Sequence, residues 1–552
     1  MTIEMDFSGQ YSYTVQVYSD EMGDLGEAIL LFGANHWPQL RFEDWQTYNR
    51  LGDGTKYDRL RATAKDGKTF TLLDCSVIGY HLSIDYVVAG DVMAQFKSIG
   101  IRFNDISEWF MPFRSAEEKI NPDLVKSDRY QQISVTIKSG KQSFNLLSEP
   151  VLRVTKSGED HIIHEHITFT FEHNDGFFSA KDLREKSHEL ATLFSILIAI
   201  PLYLVNVLVV CDDGSVHYAF FSSFKNKERD LPERSLADYF ATRSLLDGRW
   251  QEIFENYYKS EFREVSWVRL AGMQRYEGFW EYKALGYVSL LDKYVDQCTA
   301  GVKKEKSKAE DIKNTNVHAA LQAISPQLTK EQENSVLAVI SSFFMSGKKL
   351  SFQDKYNYVL GGLDATIRSI INLSGEDFKR IKSIRDAVAH GDAPELIDAD
   401  YGRVGVIVSK IALLLTYWSF IDFGLTNVDF LKCLRSHSQL HLRADINRVE
   451  LARVTGSAGF FSVSKDDFYR ISQIKGVKVQ SCFWVDSDGT VEYAEEHVAA
   501  LKAWYNKRLS GMVPVAEIFA RDIGKIKCWG EAYIECGTEK LELAQAYFID
   551  RV

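Results

Sequence analysis

The hydrophobic period of this chain changes near residue 250, and no single fold class accommodates both sides of the change. Before that point apolar and polar residues alternate around turn dipeptides. Asp66-Gly67, Ser139-Gly140, Ser157-Gly158 and Asp213-Gly214 each separate two strand-like runs. In one hairpin, Ser134-Val135-Thr136-Ile137-Lys138 precedes Ser139-Gly140 and Ser143-Phe144-Asn145-Leu146 follows it. A helix over residues 180–200 is expected after a strand at 166–171. Beyond residue 250 the spacing becomes helical, through Phe254, Tyr257 and Tyr258 and then Phe279, Tyr282, Leu285, Leu290 and Leu291.

A length of 552 residues is too great for one core, so several domains are expected. The pattern predicts an α+β multidomain protein. It has a β-rich, α+β or sandwich-like domain over 1–245, an all-α domain over 246–445 and a small α+β module over 446–552. In the last part, Asp488-Gly489 marks a hairpin and residues 494–505 a helix. Residues 404–421 are apolar nearly all round, which demands burial either at the centre of a domain or against a second subunit. The aromatic stretches 276–280 and 417–423 also read as core. The longest apolar run, 194–211, contains Pro201 and Asn206, and reads as a helix end, a break and a strand over 202–210 rather than a membrane span.

A net charge of −11 argues against indiscriminate coating of nucleic acid, while leaving room for a local basic groove. The first ten residues carry acid rather than a basic patch ahead of an apolar core, so no secretory leader is expected. Seven dispersed cysteines without CxxC pairs suggest reduced thiols, and a cytoplasmic location is expected. The absence of GxxxxGK, GxGxxG and GxSxG removes the commonest ATPase, dehydrogenase and hydrolase readings.

One segment carries chemistry. Ser374-Gly375-Glu376-Asp377 opens a helix as a capping box, and Gly391 and Pro394 stop it. Phe378, Ile381, Ile384 and Val388 form its buried face, leaving Lys379, Arg380, Lys382 and Arg385 towards solvent. His390 lies at the C-terminal end. Arg385 is a permanent cation suited to phosphate, His390 can exchange a proton near neutral pH, and Asp386 can orient either one. Five helical residues correspond to roughly 140° of rotation, so the two side chains converge only if the helix breaks near His390 or a second copy completes the site. Lys379, Arg380 and Lys382 are candidate RNA contacts. An Arg and a His a few residues apart also occur by chance, as Arg435 and His441 do here, six residues apart in a polar stretch without the same helix and glycine context.

Other candidates read as ordinary structure. The stretch from His161 to His166 resembles a metal cluster, with His164 and His166 on one strand face, yet no HExxH is present and no third ligand accompanies that pair, so a solvated strand face is preferred. His81, His217 and His318 are isolated. Lys303, Lys304, Lys306 and Lys308 are diluted by Glu305 and Glu310 and read as a solvated loop. Glu281 is a candidate polar neighbour of the groove, with an exposed helix position as the simpler reading.

The segment RDAVAHG at 385–391 resembles the Arg-polar-x3-His signature of HEPN nucleases, with Asp386 where Asn is more usual. Residues 64–75, AKDGKTFTLLDC, with Arg102-Phe103-Asn104 and Glu108-Trp109, resemble the N-terminal domain of ApeA-type anti-phage HEPN proteins. This resemblance implies a homodimeric, metal- and cofactor-independent endoribonuclease that cleaves host RNA, foremost tRNA, in abortive infection. The N-terminal domain would sense a phage-derived trigger, and no membrane is involved. The alternatives are a non-catalytic HEPN-type nucleotide- or partner-binding protein, and a scaffold that binds a phage protein or glycan.

Overall fold

The computed structural model describes residues 5–110 except 35, 132–223 except 140 and 141, 238–302, scattered positions between 319 and 336, and then 350–390, 398–436, 443–507 and 525–551. Two compact units emerge, Met1–Leu363 with Leu373–Asp445, and Asp364–Asn372 with Ile446–Val552.

The first unit begins with β1 (Gln10–Ser19), β2 (Gly23–Gly33), β3 (His36–Phe42), the short helix α1 (Trp45–Leu51), β4 (Lys56–Ala64), β5 (Thr69–Ile78) and β6 (His81–Ala89). Their order is β3-β2-β1-β4-β5-β6, and β6 returns to pair with β3 through Gln39–Ser83 and Leu40–Leu82. The six strands therefore close into a barrel, not the sandwich that alternation alone suggested. Alternate residues such as Val15, Val17, Leu30, Phe32, Phe70 and Leu72 fill the interior. The same sheet continues from β6 through β12 (Val216–Phe221), β11 (Leu204–Val210), β7 (Ser98–Phe103), β10 (Asp160–His173), β9 (Gln142–Ser157) and β8 (Ser134–Ser139), with α2 (Ile106–Phe110) following β7. The hairpins joining β4 to β5, β8 to β9, β9 to β10 and β11 to β12 fall at the four turn dipeptides read from the sequence.

Helix α3 (Ala180–Ile198) lies against β7 and β11 and is buried without interruption from Leu190 to Ile198. Its last carbonyls, on Leu197 and Ile198, accept the amides of Ala241 and Phe240 at 3.1 and 2.9 Å. The chain then turns through α4 (Arg243–Leu246) into α5 (Trp250–Lys259). Trp250 and Phe254 join Trp109, Phe110 and Phe194 in one aromatic cluster, and Trp109 donates its indole N–H to the Ala241 carbonyl at 2.7 Å. Gln251 seals the outer edge of the sheet. Its side-chain amide accepts the Thr136 N–H at 3.0 Å and donates to the Thr136 carbonyl at 2.8 Å, replacing a neighbouring strand.

A π-helical turn (Arg263–Trp267) leads into α6 (Val268–Arg275), followed by α7 (Trp280–Cys298), α8 (Phe352–Gly361), α9 (Ala365–Ile371), α10 (Gly375–His390), α11 (Asp398–Asp422) and α12 (Asn427–Ser436). Helix α11 packs on α7, α12, α10 and α3. Among the described residues one helix, Gly402–Asp422, is long and apolar enough to cross a membrane, but 67% of its apolar window is buried inside the fold. Central packing in one subunit thus accounts for its composition. Gly424, at φ +87°, ends this helix, and its carbonyl accepts from Arg249, which also pairs with Asp429 at 2.6 Å.

The capping box of α10 forms as expected: Asp377 N–H donates to the Ser374 hydroxyl at 3.1 Å, and Ser374 N–H donates to the Asp377 carboxylate at 3.2 Å. Burial alone would raise the Asp377 carboxyl. The Arg403 guanidinium, donating at 2.6 and 3.0 Å, and the Ser374 bonds outweigh that and hold it below the usual carboxylate range.

In the second unit α9 packs on α13 (Arg448–Thr455), and Asn447 donates its N–H to the Ile370 carbonyl at 2.8 Å. Strands β13 (Gly459–Ser462), β14 (Cys482–Val485), β15 (Val491–Tyr493), β16 (Ile526–Cys536) and β17 (Glu539–Asp550) form a sheet ordered β13-β16-β17-β14-β15, with α14 (Lys465–Ser472) and α15 (Glu495–Lys507) between strands. The α+β character and the hairpin at Asp488-Gly489 match the sequence reading.

Two outcomes follow from these contacts. Phe240 is 1% exposed and touches both Phe420 and Phe430. Phe240→Ala should destabilise the first unit by about 3–5 kcal/mol, seen in chemical denaturation as one earlier transition in which sheet and helix signals fall together. Arg403→Ala should cost about 2 kcal/mol by stripping a buried carboxylate of its main partner. Because the native Asp377 value is depressed, its stabilisation is present above the ordinary carboxylate pKa and lost as pH falls through the depressed value. The gap between wild type and Arg403→Ala, measured by denaturation across pH, should therefore narrow in acid.

Candidate functional site

Successive residues of α10 are about 100° apart, which settles what each side chain meets. Asp377, Phe378, Ile381 and Ile384 are buried. Arg385 follows Ile381 by four residues and Phe378 by seven, so it falls on this inward side. The expectation that it stands outward with the lysines is thereby corrected. Its guanidinium enters the seam between α10, α7 and α8, where Nη2 donates to Asp292 at 2.8 Å and Cζ sits 5.5 Å from the ring centre of Phe352. Nη1 reaches Asp386 at 3.4 Å. The Arg385 side chain keeps 29% of its exposure and Asp292 27%, so the pair lies at the mouth of the seam.

Lys379, Lys382 and His390 stand on the solvent side, while Arg380 is half-buried. Lys382 pairs with Asp386 at 3.2 Å. Helix α10 runs unbroken through His390, so Arg385 and His390 of one chain are roughly 140° and 7.5 Å apart around and along the helix. Of the two routes to convergence left open by the sequence, a break ahead of His390 is not observed. Completion by a second copy remains. The side chain of Val388, and Gly391 and Pro394, lie outside the described residues.

Glu281, for which the sequence favoured an ordinary exposed helix position over a place beside the groove, is not the residue that meets Arg385; that residue is Asp292, on the same helix α7. The two are eleven residues apart, three turns along one side. Asp292 and Phe352 were missed. The available signal was a lone carboxylate within Leu290-Leu291-Asp292-Lys293-Tyr294-Val295, on a helix otherwise buried at Leu290, Leu291, Tyr294 and Val295.

Elsewhere, His217 is held by the Ala89 carbonyl and the Ser215 hydroxyl, each at 2.9 Å. His164 and His166 lie on β10 opposite Arg153 and Val151. Among the described residues no group of three His, Cys, Asp or Glu side chains could hold a metal ion. Tyr417, Trp418, Phe420 and Phe423 are core, but Phe279 is 73% exposed, contrary to the core reading of its stretch. It precedes α7 as its N-cap. Lys303, Lys304, Lys306, Lys308, His318 and His441 lie outside the described residues.

Comparison with known proteins bears on this geometry. A family model described as ApeA N-terminal domain 1 matches residues 22–257, which contain five of the six barrel strands (β2 to β6), the sheet extension, α3 and most of α5. A second, described as Apea-like HEPN, matches residues 285–429 and contains the whole of α10 with Arg385 and His390. No curated protein and no solved structure matches the chain. With both domains matched in order over well more than half of its length, the chain belongs to the ApeA-type HEPN proteins of anti-phage defence.

Proposed function

We propose that this protein is a metal-independent endoribonuclease that cleaves host RNA, with tRNA the foremost substrate, and that two copies build the active groove. The observation that carries the reading is that Arg385 and His390 lie on one helix inside the matched HEPN region, with a partly exposed guanidinium at a seam and an exposed imidazole at the helix end.

The chemistry is an in-line transesterification. One imidazole takes the proton of a ribose 2′-OH, whose oxygen forms a bond to the adjacent phosphorus. The P–O5′ bond breaks, and the second imidazole protonates the departing 5′-oxygen. His390 from each copy supplies base and acid. Arg385 neutralises charge building on the phosphate oxygens. The products are a 2′,3′-cyclic phosphate and a 5′-hydroxyl, and DNA, lacking the 2′-OH, is not a substrate. A two-fold arrangement suits the geometry of α10, because an inward arginine and an outward histidine of one helix do not face one phosphate. Asp386, between Lys382 and Arg385, orients the cations, and Lys379, Arg380 and Lys382 line the approach of the strand. The barrel and its extended sheet form the sensing part, which responds to a phage-derived trigger.

Incubation of wild type, Arg385→Ala and His390→Ala with total tRNA in EDTA tests the assignment. Wild type should cut and leave cyclic phosphate ends, while each variant should lose at least about a hundredfold in rate and keep the wild-type oligomeric state. Undiminished cutting by folded His390→Ala would overturn it.

A further inference from the structure

The proposed chemistry needs a guanidinium that a phosphate can reach, so what Arg385 faces in the resting fold matters. It faces carboxylate. Asp292 takes Nη2 at 2.8 Å, Asp386 takes Nη1 at 3.4 Å, and Phe352 covers one face of the fork. The nearest lysine of α10, Lys382, is paired with the same Asp386. Two cations and two carboxylates thus balance where an RNA phosphate would have to bind, on a chain whose net charge is already −11. A carboxylate offers guanidinium the same kind of planar oxygen pair that a phosphate does, so the two anions compete for one fork.

Resting on the ribonuclease reading, we propose that Asp292 is a built-in competitor for RNA: it occupies the phosphate-facing fork of Arg385, and RNA engages the site only as Asp292 withdraws. The pair sits at the mouth of the seam with about a quarter of each side chain exposed, so it is neither locked in the core nor diluted in solvent. Helix α7 also has a path to the β-rich part. Gln297 of α7 accepts the Ser266 hydroxyl of the π-helical turn at 3.0 Å, and Arg263 of that turn lies 3.9 Å from Glu189 on α3. A displacement at that junction that slides or rotates α7 carries Asp292 with it. This gives the sensing region a mechanical handle on the charge of the site.

If Asp292 only positioned Arg385, removing its charge would weaken RNA binding. As a competitor it must do the reverse, and the two roles differ in sign. The test uses the full chain and a short single-stranded RNA with methylated 2′-hydroxyls, which cannot be cut, followed by fluorescence anisotropy. Asp292→Asn should tighten binding roughly three- to tenfold at low salt, with the gain fading as salt is raised. Asp292→Glu, which keeps the charge, should stay near wild type. Asp296→Asn removes the same charge one turn further along α7, where the native residue pairs with Lys355, and should leave binding little changed. Adding Arg385→Ala to Asp292→Asn should erase the gain.

Unchanged or weaker binding by Asp292→Asn overturns the inference, as does an equal gain from Asp296→Asn or a gain that survives loss of Arg385. Thermal transitions of the variants within a few degrees of wild type establish that the fold is kept. The ribonuclease reading stands or falls separately, on whether His390→Ala abolishes cutting, and the anisotropy result decides the role of Asp292 in either case.

Discussion

A helix buried on every side needs a partner on every side, and α3 is such a helix from Leu190 to Ile198. One flank lies on β7 and β11, and the other meets α6, the π-helical turn and α11. The β-rich and helical parts therefore share a core instead of touching at a hydrated surface. Its polar residues are drawn into the same junction. Lys186, 1% exposed, pairs with Glu189 at 2.9 Å and lies over the rings of Phe144 and Tyr258, while Glu189 also accepts the Tyr258 hydroxyl at 3.0 Å. Removal of either partner of a buried ion pair leaves an uncompensated charge, so this junction tolerates neither loss. It fixes α3 against α5 in one register, and everything later in the unit builds on that placement.

The seam that holds Arg385 depends on the same arrangement at one remove. Trp267 of the π-helical turn donates its indole N–H to Asp422 at the end of α11, and Tyr294 of α7 stacks on Trp418 at 4.6 Å. These contacts fix α7 and α11 around α10, and so decide that the guanidinium meets a carboxylate and a phenyl ring. The helix itself decides the rest. Running unbroken from Arg385 to His390, it sends the two groups of one copy to different sides.

Much of this was legible in the sequence because it is local. Gly67, Gly158, Gly214 and Gly489 all have positive φ, which is why their dipeptides announce hairpins. The Ser374–Asp377 box needs only four consecutive residues, and it forms as read. The end of α3, the break at Pro201 and the strand after it likewise follow from short-range chemistry. What escaped is non-local. Closure of the barrel rests on the pairing of β3 with β6, through Gln39 with Ser83 and Leu40 with Leu82, far apart in the chain, and alternation looks the same in a sandwich and a barrel. The inward direction of Arg385 was implicit in its spacing from Phe378 and Ile381, but charge suggested solvent, and only the partner on α7 explains why a cation is tolerated there.

Helix α9 carries one more consequence. It lies between α8 and α10 in the chain, yet its isoleucines, Ile367, Ile370 and Ile371, are buried in the second unit beside α13. The polypeptide thus passes from one unit to the other at residue 364, returns at 373 and leaves again at 446. The C-terminal sheet is consequently no detachable appendage. A stop codon near residue 446 would bare three isoleucines just upstream of the helix that bears Arg385, leaving the shortened chain prone to stickiness and misfolding.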